Sequence, residues 1–386
     1  MYPGGRGDTS IYEVIPMPSI YERNGLRRVI NASGRMTALG VSTIHDDTGK
    51  ALVEAAQNYV VIDELIDRVG ELICPFTGAE GSCPTANTSA AICLSIAAVM
   101  TGPDIDLVER IPDTRGMKNE VIIQKGHCVN YGAPVTQMIR TVGAVPVEVG
   151  HANKVLPENI IGAITDKTAA LLYVKSHHCV QKGMVSVQDM VKIAHDHGLP
   201  LIVDASAEED LRKYVAMGAD LVCYSGAKAI EGPTSGFITG RKDLTDAAKL
   251  HYKGIGRPMK VGKESMMGLV KALEIYDARD QEAHCKELNA VVDRLASLLE
   301  GLPHIRVSRS VDEAGRSISR VRVDVLPDCP LTAQQIGDQL KGGDPAVFTR
   351  DHFLNVGTIF FDPRPMLPGD AEAVAARMKE ILNGRA

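Results

Sequence analysis

Positive net charge, an export signal, a bilayer-length apolar run and a paired-cysteine framework are all missing from this sequence. With 42 Lys+Arg against 48 Asp+Glu the formal net charge is −6, so no general electrostatic attraction to nucleic acid is expected. No apolar run reaches the ~18 residues that span a bilayer, and the opening Met1-Tyr-Pro-Gly-Gly-Arg-Gly-Asp8 has no apolar signal core. The eight cysteines (74, 83, 93, 128, 179, 223, 285, 329) form no Cys-x-x-Cys pair. Several lie in apolar runs, which suits reduced, buried thiols of a cytosol better than disulfides or zinc. His177 and His178 are adjacent, a spacing that does not chelate. Gly254-x-Gly256 lacks the third glycine and preceding strand of a dinucleotide fingerprint. What is left is ordinary globular composition, 45% hydrophobic and 23% charged, over 386 residues. That length holds one large domain and a smaller one. The expectation is a cytoplasmic protein with no metal, membrane or nucleic-acid partner.

Two stretches carry chemistry. In Asp220-Leu-Val-Cys-Tyr-Ser225-Gly-Ala-Lys228 an apolar run reads as a buried strand ending in a tight turn that delivers one lysine. Gly232-Pro-Thr-Ser-Gly-Phe-Ile-Thr-Gly240 reads as a second short strand after a loop. A lysine so enclosed is partly desolvated, which makes its amine nucleophilic towards an aldehyde; alone, it also reads as a solvated loop residue. Leu199-Pro-Leu-Ile-Val-Asp204 is another buried-strand run ending in a carboxylate, preceded by a helix over 187–197 and the stop Gly198. Strands in succession place Asp204 and Lys228 at neighbouring carboxyl ends of a parallel sheet, where α/β ligands bind. A lysine-bound aldehyde whose ring nitrogen must stay protonated needs a facing carboxylate, and pyridoxal 5'-phosphate is that cofactor. The competing reading makes Asp204 the cap of a helix starting near Glu208.

Asp204…Ser225-Gly-Ala-Lys228…Gly232-Pro-Thr-Ser-Gly236 resembles the pyridoxal-phosphate enzymes of fold type I. Asn31-Ala-Ser-Gly-Arg-Met-Thr-Ala-Leu-Gly40 is similar to the Asn-Ala-Thr-Gly signature of one branch, with Ser33 in place of threonine. That branch holds bacterial selenocysteine synthase (seryl-tRNA seleniumtransferase) and D-glucosaminate-6-phosphate ammonia-lyase, the latter more similar. The likeness runs from about Tyr21 to the C-terminal helix. It implies an aspartate aminotransferase-like α/β large domain with a mainly parallel sheet and a small α+β C-terminal domain. The boundaries expected are an arm over 1–30, a large domain over 31–262, one linking helix over 263–300 and a small domain over 301–386.

The resemblance also distributes roles. Asn87, Thr88 and Ser89 open a strongly helical segment and match the turn that holds the cofactor phosphate; on local sequence, capping explains them equally well. Ser225 ends the strand before the lysine turn and counts with the cofactor contacts. After the strand 119–124, a planar residue covers the cofactor ring in this superfamily, and His127 is preferred over Tyr131. Ser176 and His177 match a loop near the substrate. Arg257, Lys260 and Lys263 are three cations in seven residues, equally a solvated loop or a distal anion site. Arg364, in Phe361-Asp-Pro-Arg-Pro365, would grip the substrate carboxylate as a planar fork, or else salt-bridge Asp362 at the surface. The implied activity is α,β-elimination from a hydroxy amino acid, such as D-glucosaminate 6-phosphate or a similar anionic sugar amino acid, giving a 2-keto-3-deoxy acid and ammonia. Alternatives are a seleniumtransferase, a racemase or carbon–sulfur lyase, and a non-catalytic cofactor-binding protein. A tRNA substrate fits poorly with the negative charge and the roughly twenty residues before the matching region, where that family carries a tRNA-binding domain. A homo-oligomer, dimer or larger, is expected.

Overall fold

The structure, a computed structural model, describes residues 18–176, 178–311 and 319–384. The described residues divide into two units, the larger built within 35–287 and the smaller on 18–34, 288–310 and 319–384. The strands, in chain order, are β1 (Val29–Asn31), β2 (Gly81–Thr85), β3 (Glu120–Gln124), β4 (Val145–Val149), β5 (Thr168–Val174) and β6 (Leu201–Asp204). They continue with β7 (Leu221–Ser225), β8 (Gly236–Gly240), β9 (Ile305–Val311), β10 (Ser319–Val325), β11 (Ala346–Phe348) and β12 (Thr358–Phe361).

The larger unit is a seven-stranded sheet in the order β2-β8-β7-β6-β5-β3-β4. β8 runs antiparallel to β2 and β7, and the other pairs are parallel. Alternation along the strands feeds two separate cores, as a pleat with both faces covered requires. Leu201, Val203, Val222 and Tyr224 pack with helices Ile62–Thr77, Val187–Asp196 and Lys263–Asp277. Ile202, Leu221 and Cys223 pack on the opposite face with helices Thr88–Thr101, Val135–Thr141 and Lys242–Leu250. Thr88–Thr101 is apolar all round because it is enclosed: Ala90 to Ala98 are buried without interruption. Complete burial of Ile92, Leu94 and Ile96 contributes roughly 1.5–3 kcal/mol each.

The smaller unit holds a three-stranded sheet, β12-β10-β9, and the parallel pair β1-β11. Ile30, Leu295, Val323, Ile336, Phe361 and Val374 belong to its core. Residues 18–34 are therefore part of this unit, although the sequence suggested an arm to residue 30; residues 1–17 lie outside the described residues.

One expectation needs correction. The single linking helix over 263–300 is two helices, Lys263–Asp277 and Gln281–Leu299. Asp280 accepts from the backbone N–H of Glu282 (3.0 Å) and of Ala283 (3.1 Å), so its carboxylate starts a new helix. The first of the two belongs wholly to the larger unit, and the chain passes to the smaller one after Glu287.

Candidate active site

β6 and β7 are adjacent and parallel, with Asp204 opposite Cys223. Their carboxyl ends therefore lie side by side, as expected. The turn after β7 is fixed by Gly226, whose N–H donates to Ser235 O (3.0 Å) and whose carbonyl accepts from Gly232 N–H (2.8 Å). A Cβ at Gly226 would stand 2.1 Å from Ser235 Oγ, so only glycine fits this crossing. Lys228 follows two residues later.

Lys228 Nζ donates to Ser206 Oγ (3.2 Å), and Ser206 N–H donates to Asp204 Oδ1 (3.0 Å). Asp204 is 4% exposed. Burial pushes its carboxyl above the ordinary range, against the pull of the Lys228 charge and the Ser206 hydrogen bonds. Amine and acid thus converge through one serine that sequence reasoning missed; its only signal was the spacing Asp204-x-Ser206. No helix starts near Glu208; the next one is Lys213–Ala216, so the capping reading of Asp204 is set aside.

Asn87 caps Thr88–Thr101, its Oδ1 accepting from Ala90 N–H (2.8 Å). That leaves the first-turn N–H groups of Thr88 and Ser89 without intrahelical acceptors, the donor set an anion uses. Gly236, first residue of β8, lets this turn approach: a Cβ there would meet Asn87 C at 2.7 Å and Thr88 N at 2.9 Å. Tyr131 Oη lies 3.3 Å from Ser89 Oγ, and burial, with the Asp204 charge adding, pushes its phenol up to about 12. Tyr131 is only partly buried, whereas His127 has no exposed surface. The His127 ring meets Tyr173 edge-on at 4.5 Å, and its Nδ1 accepts from Val174 N–H (3.3 Å).

Ser176 Oγ accepts from His178 N–H (3.2 Å), one residue beyond Lys175, whose N–H donates to Asp204 O (2.8 Å). His177 lies outside the described residues. Arg257, Lys260 and Lys263 line a cavity of about 950 Å³ with Asp63, Lys249 and Gly81, and neither Asp204 nor Lys228 borders it. Gly81 is the far end of β2 from Thr85, which explains the separation. Arg364, in the smaller unit, pairs in two places with Asp362 (2.9 and 2.8 Å), which also accepts from Arg320 (2.9 Å). Asp362 is fully buried, so this is a buried cluster and no surface salt bridge. Burial would raise the Asp362 carboxyl, but the two guanidinium groups hold it well below the carboxylate range.

A family model described as L-seryl-tRNA selenium transferase matches residues 29–300. The chain belongs to that family. It is 48% identical over 365 residues to a D-glucosaminate-6-phosphate ammonia lyase of Salmonella typhimurium (strain 14028s / SGSC 2262), covering 94% of this chain and 98% of the relative. A 5'-C-glycyluridine monooxygenase-decarboxylase of Streptomyces sp is 38% identical, at 94% and 92% coverage. A solved D-glucosaminate-6-phosphate ammonia-lyase structure superposes with a TM-score of 0.89 at 47% identity, over 96% of this chain and 100% of that one. An aspartate aminotransferase from Thermus thermophilus, at TM-score 0.55 and 18% identity over 94% and 93%, shares the fold. This family member thus has the fold type I architecture, α/β with a mainly parallel sheet.

Proposed function

We propose that this protein is a pyridoxal-phosphate-dependent ammonia-lyase acting on D-glucosaminate 6-phosphate, a phosphorylated amino-sugar acid. The observation that carries the reading is the Lys228–Ser206–Asp204 group within a chain 48% identical to such a lyase along nearly its whole length. The residues present fit the cofactor: unpaired first-turn N–H groups at Thr88 and Ser89 for its phosphate, a buried carboxylate for its ring nitrogen and one enclosed amine for its aldehyde. Tyr131 lies beside the same group, with the hydroxyl of Ser89.

When bound, the cofactor supplies an electron sink for the bond broken at Cα. Lys228 is the base that takes the Cα proton, and its tie to Ser206 keeps the amine near Asp204. Asp204, anionic against a protonated ring nitrogen, keeps that nitrogen charged. Loss of the β-hydroxyl as water and hydrolytic release of ammonia leave a 2-keto-3-deoxy acid; one water leaves and one is taken up. The enzyme works as a homo-oligomer, a reading supported by the exposed run Tyr59-Val60-Val61-Ile62.

The test is ammonia release from D-glucosaminate 6-phosphate, compared with the unphosphorylated acid. Phosphorylated substrate should be preferred. Lys228→Ala should release none and lose the visible band, roughly 410–430 nm, of covalently held cofactor. A retained band in that variant removes Lys228 from its role, and uridine-derived or seryl-tRNA substrates outperforming the sugar acid would reverse the assignment.

A further inference from the structure

The larger unit carries two left-handed residues other than glycine among its described residues, Val41 (φ 71°) and Glu231 (φ 57°). Side chains rarely adopt this conformation, and a β-branched valine least of all. Such residues persist only where their surroundings hold them. Both are tied to the lysine turn. Beside Val41, Ser42 Oγ donates to Ala227 O (2.7 Å). Glu231 N–H donates to Lys228 O (3.3 Å).

The Glu231 carboxylate is gripped from two directions. Oε1 accepts from Arg35 Nη2, and Oε2 accepts from Arg279 Nη2 (2.5 Å). The Arg35 side chain is 8% exposed and Arg279 18%, so both pairs are shielded from solvent. Burial would raise the Glu231 carboxyl, but the two arginine charges outweigh it and hold it ionised. Arg35 is the first residue of the larger unit. Arg279 lies in the break between helices Lys263–Asp277 and Gln281–Leu299. One carboxylate three residues after the lysine thus anchors segments 196 and 48 residues away in sequence.

We infer that Glu231 is a positioning residue: by bridging Arg35 and Arg279 it locks the Ala227–Gly232 turn around its own left-handed backbone and fixes where Lys228 presents its amine. The inference rests on Lys228 being the base proposed above. Glu231 touches no reacting atom; its removal frees the turn, and the amine loses its set distance to Cα. Proton transfer suffers before binding does, because misplacement of about 1 Å can cost up to 10²-fold in rate.

The test compares wild type with Glu231→Gln, Glu231→Gly and Arg279→Gln. In cofactor-free protein, the amides of Glu231 and Gly232 should exchange hydrogen about tenfold faster in Glu231→Gln, with the strands of the sheet unchanged. In the loaded enzyme, kcat should fall about tenfold or more with KM within about twofold. Glycine accepts φ 57° without strain, so recovery in Glu231→Gly would mean that backbone strain and not the carboxylate matters, overturning the inference. Arg279→Gln removes one arm and should give a smaller loss of the same kind, which keeps the test open if the Glu231 variants misfold. Unchanged kcat in the folded variants overturns the inference, whatever the exchange rates. Failure of the Lys228 assignment would show separately, as a retained visible band in Lys228→Ala.

Discussion

At the residue scale, burial has opposite consequences for carboxylates and imidazoles. His127 and His251 are both fully buried, and burial lowers each from 6.5 to about 4, with backbone hydrogen bonds (Val180, Ala97) opposing weakly. A folded pKa below the unfolded one means the unfolded chain takes up a proton that the folded chain excludes. Stability is therefore full above pH ~6.5 and declines as pH falls towards about 4, by on the order of 3 kcal/mol per histidine. Urea midpoints measured from pH 7.5 to 4.5 should show this decline, and His251→Gln should flatten part of it. A pH-independent midpoint would contradict both burials. The expectation that His127 covers the cofactor ring came from its place in the chain; the His127 imidazole packs edge-on against Tyr173, and Tyr131 lies at Ser89. Nothing in the local sequence distinguishes the two, since either could follow the strand.

At the scale of elements, the arrangement depends on close backbone approaches. Gly236 starts β8 and stands against Asn87 and Thr88, with Tyr224 O also 2.9 Å from a Cβ placed there. Gly236→Ala should push the Asn87–Thr88 turn away, weakening cofactor binding about tenfold while the fold survives, since overpacking costs roughly 1–3 kcal/mol. Cofactor titration of the apoprotein reads this directly, and unchanged affinity would dissociate this turn from the cofactor phosphate. Strands and most helices were legible because apolar periodicity and glycine stops are local signals. The break at Asp280 was not, since helical periodicity runs on through it and only the cap geometry reveals the new start.

For the whole molecule, the acidic balance and the apolar surface point the same way. Among the described residues no helix is long and apolar enough to cross a membrane. The consecutive exposed residues Tyr59, Val60, Val61 and Ile62 are a poor surface for a monomer. Sedimentation should give a dimer or larger species, and Tyr59→Asp with Val61→Asp should reduce its mass; a fully active monomer would refute the assembly. The cationic loop at Arg257 shows the limit of reading by chain order. Its three charges line a cavity away from Lys228 in the same chain, beside Gly81 at the end of β2 opposite Thr85.

By itself the sequence determined the alternation of strands and helices, the buried strand ending in Asp204, the strand and turn that deliver Lys228 and the family signature at Asn31, all carried by residues within a few positions of one another. Tertiary structure alone decided that Ser206 joins the acid to the amine, that Glu231 is held by Arg35 and Arg279, and that the cations at 257–263 stand elsewhere. Those outcomes depend on which distant segments the packed sheet and helices bring within hydrogen-bond reach, and local pattern carries no record of that distance.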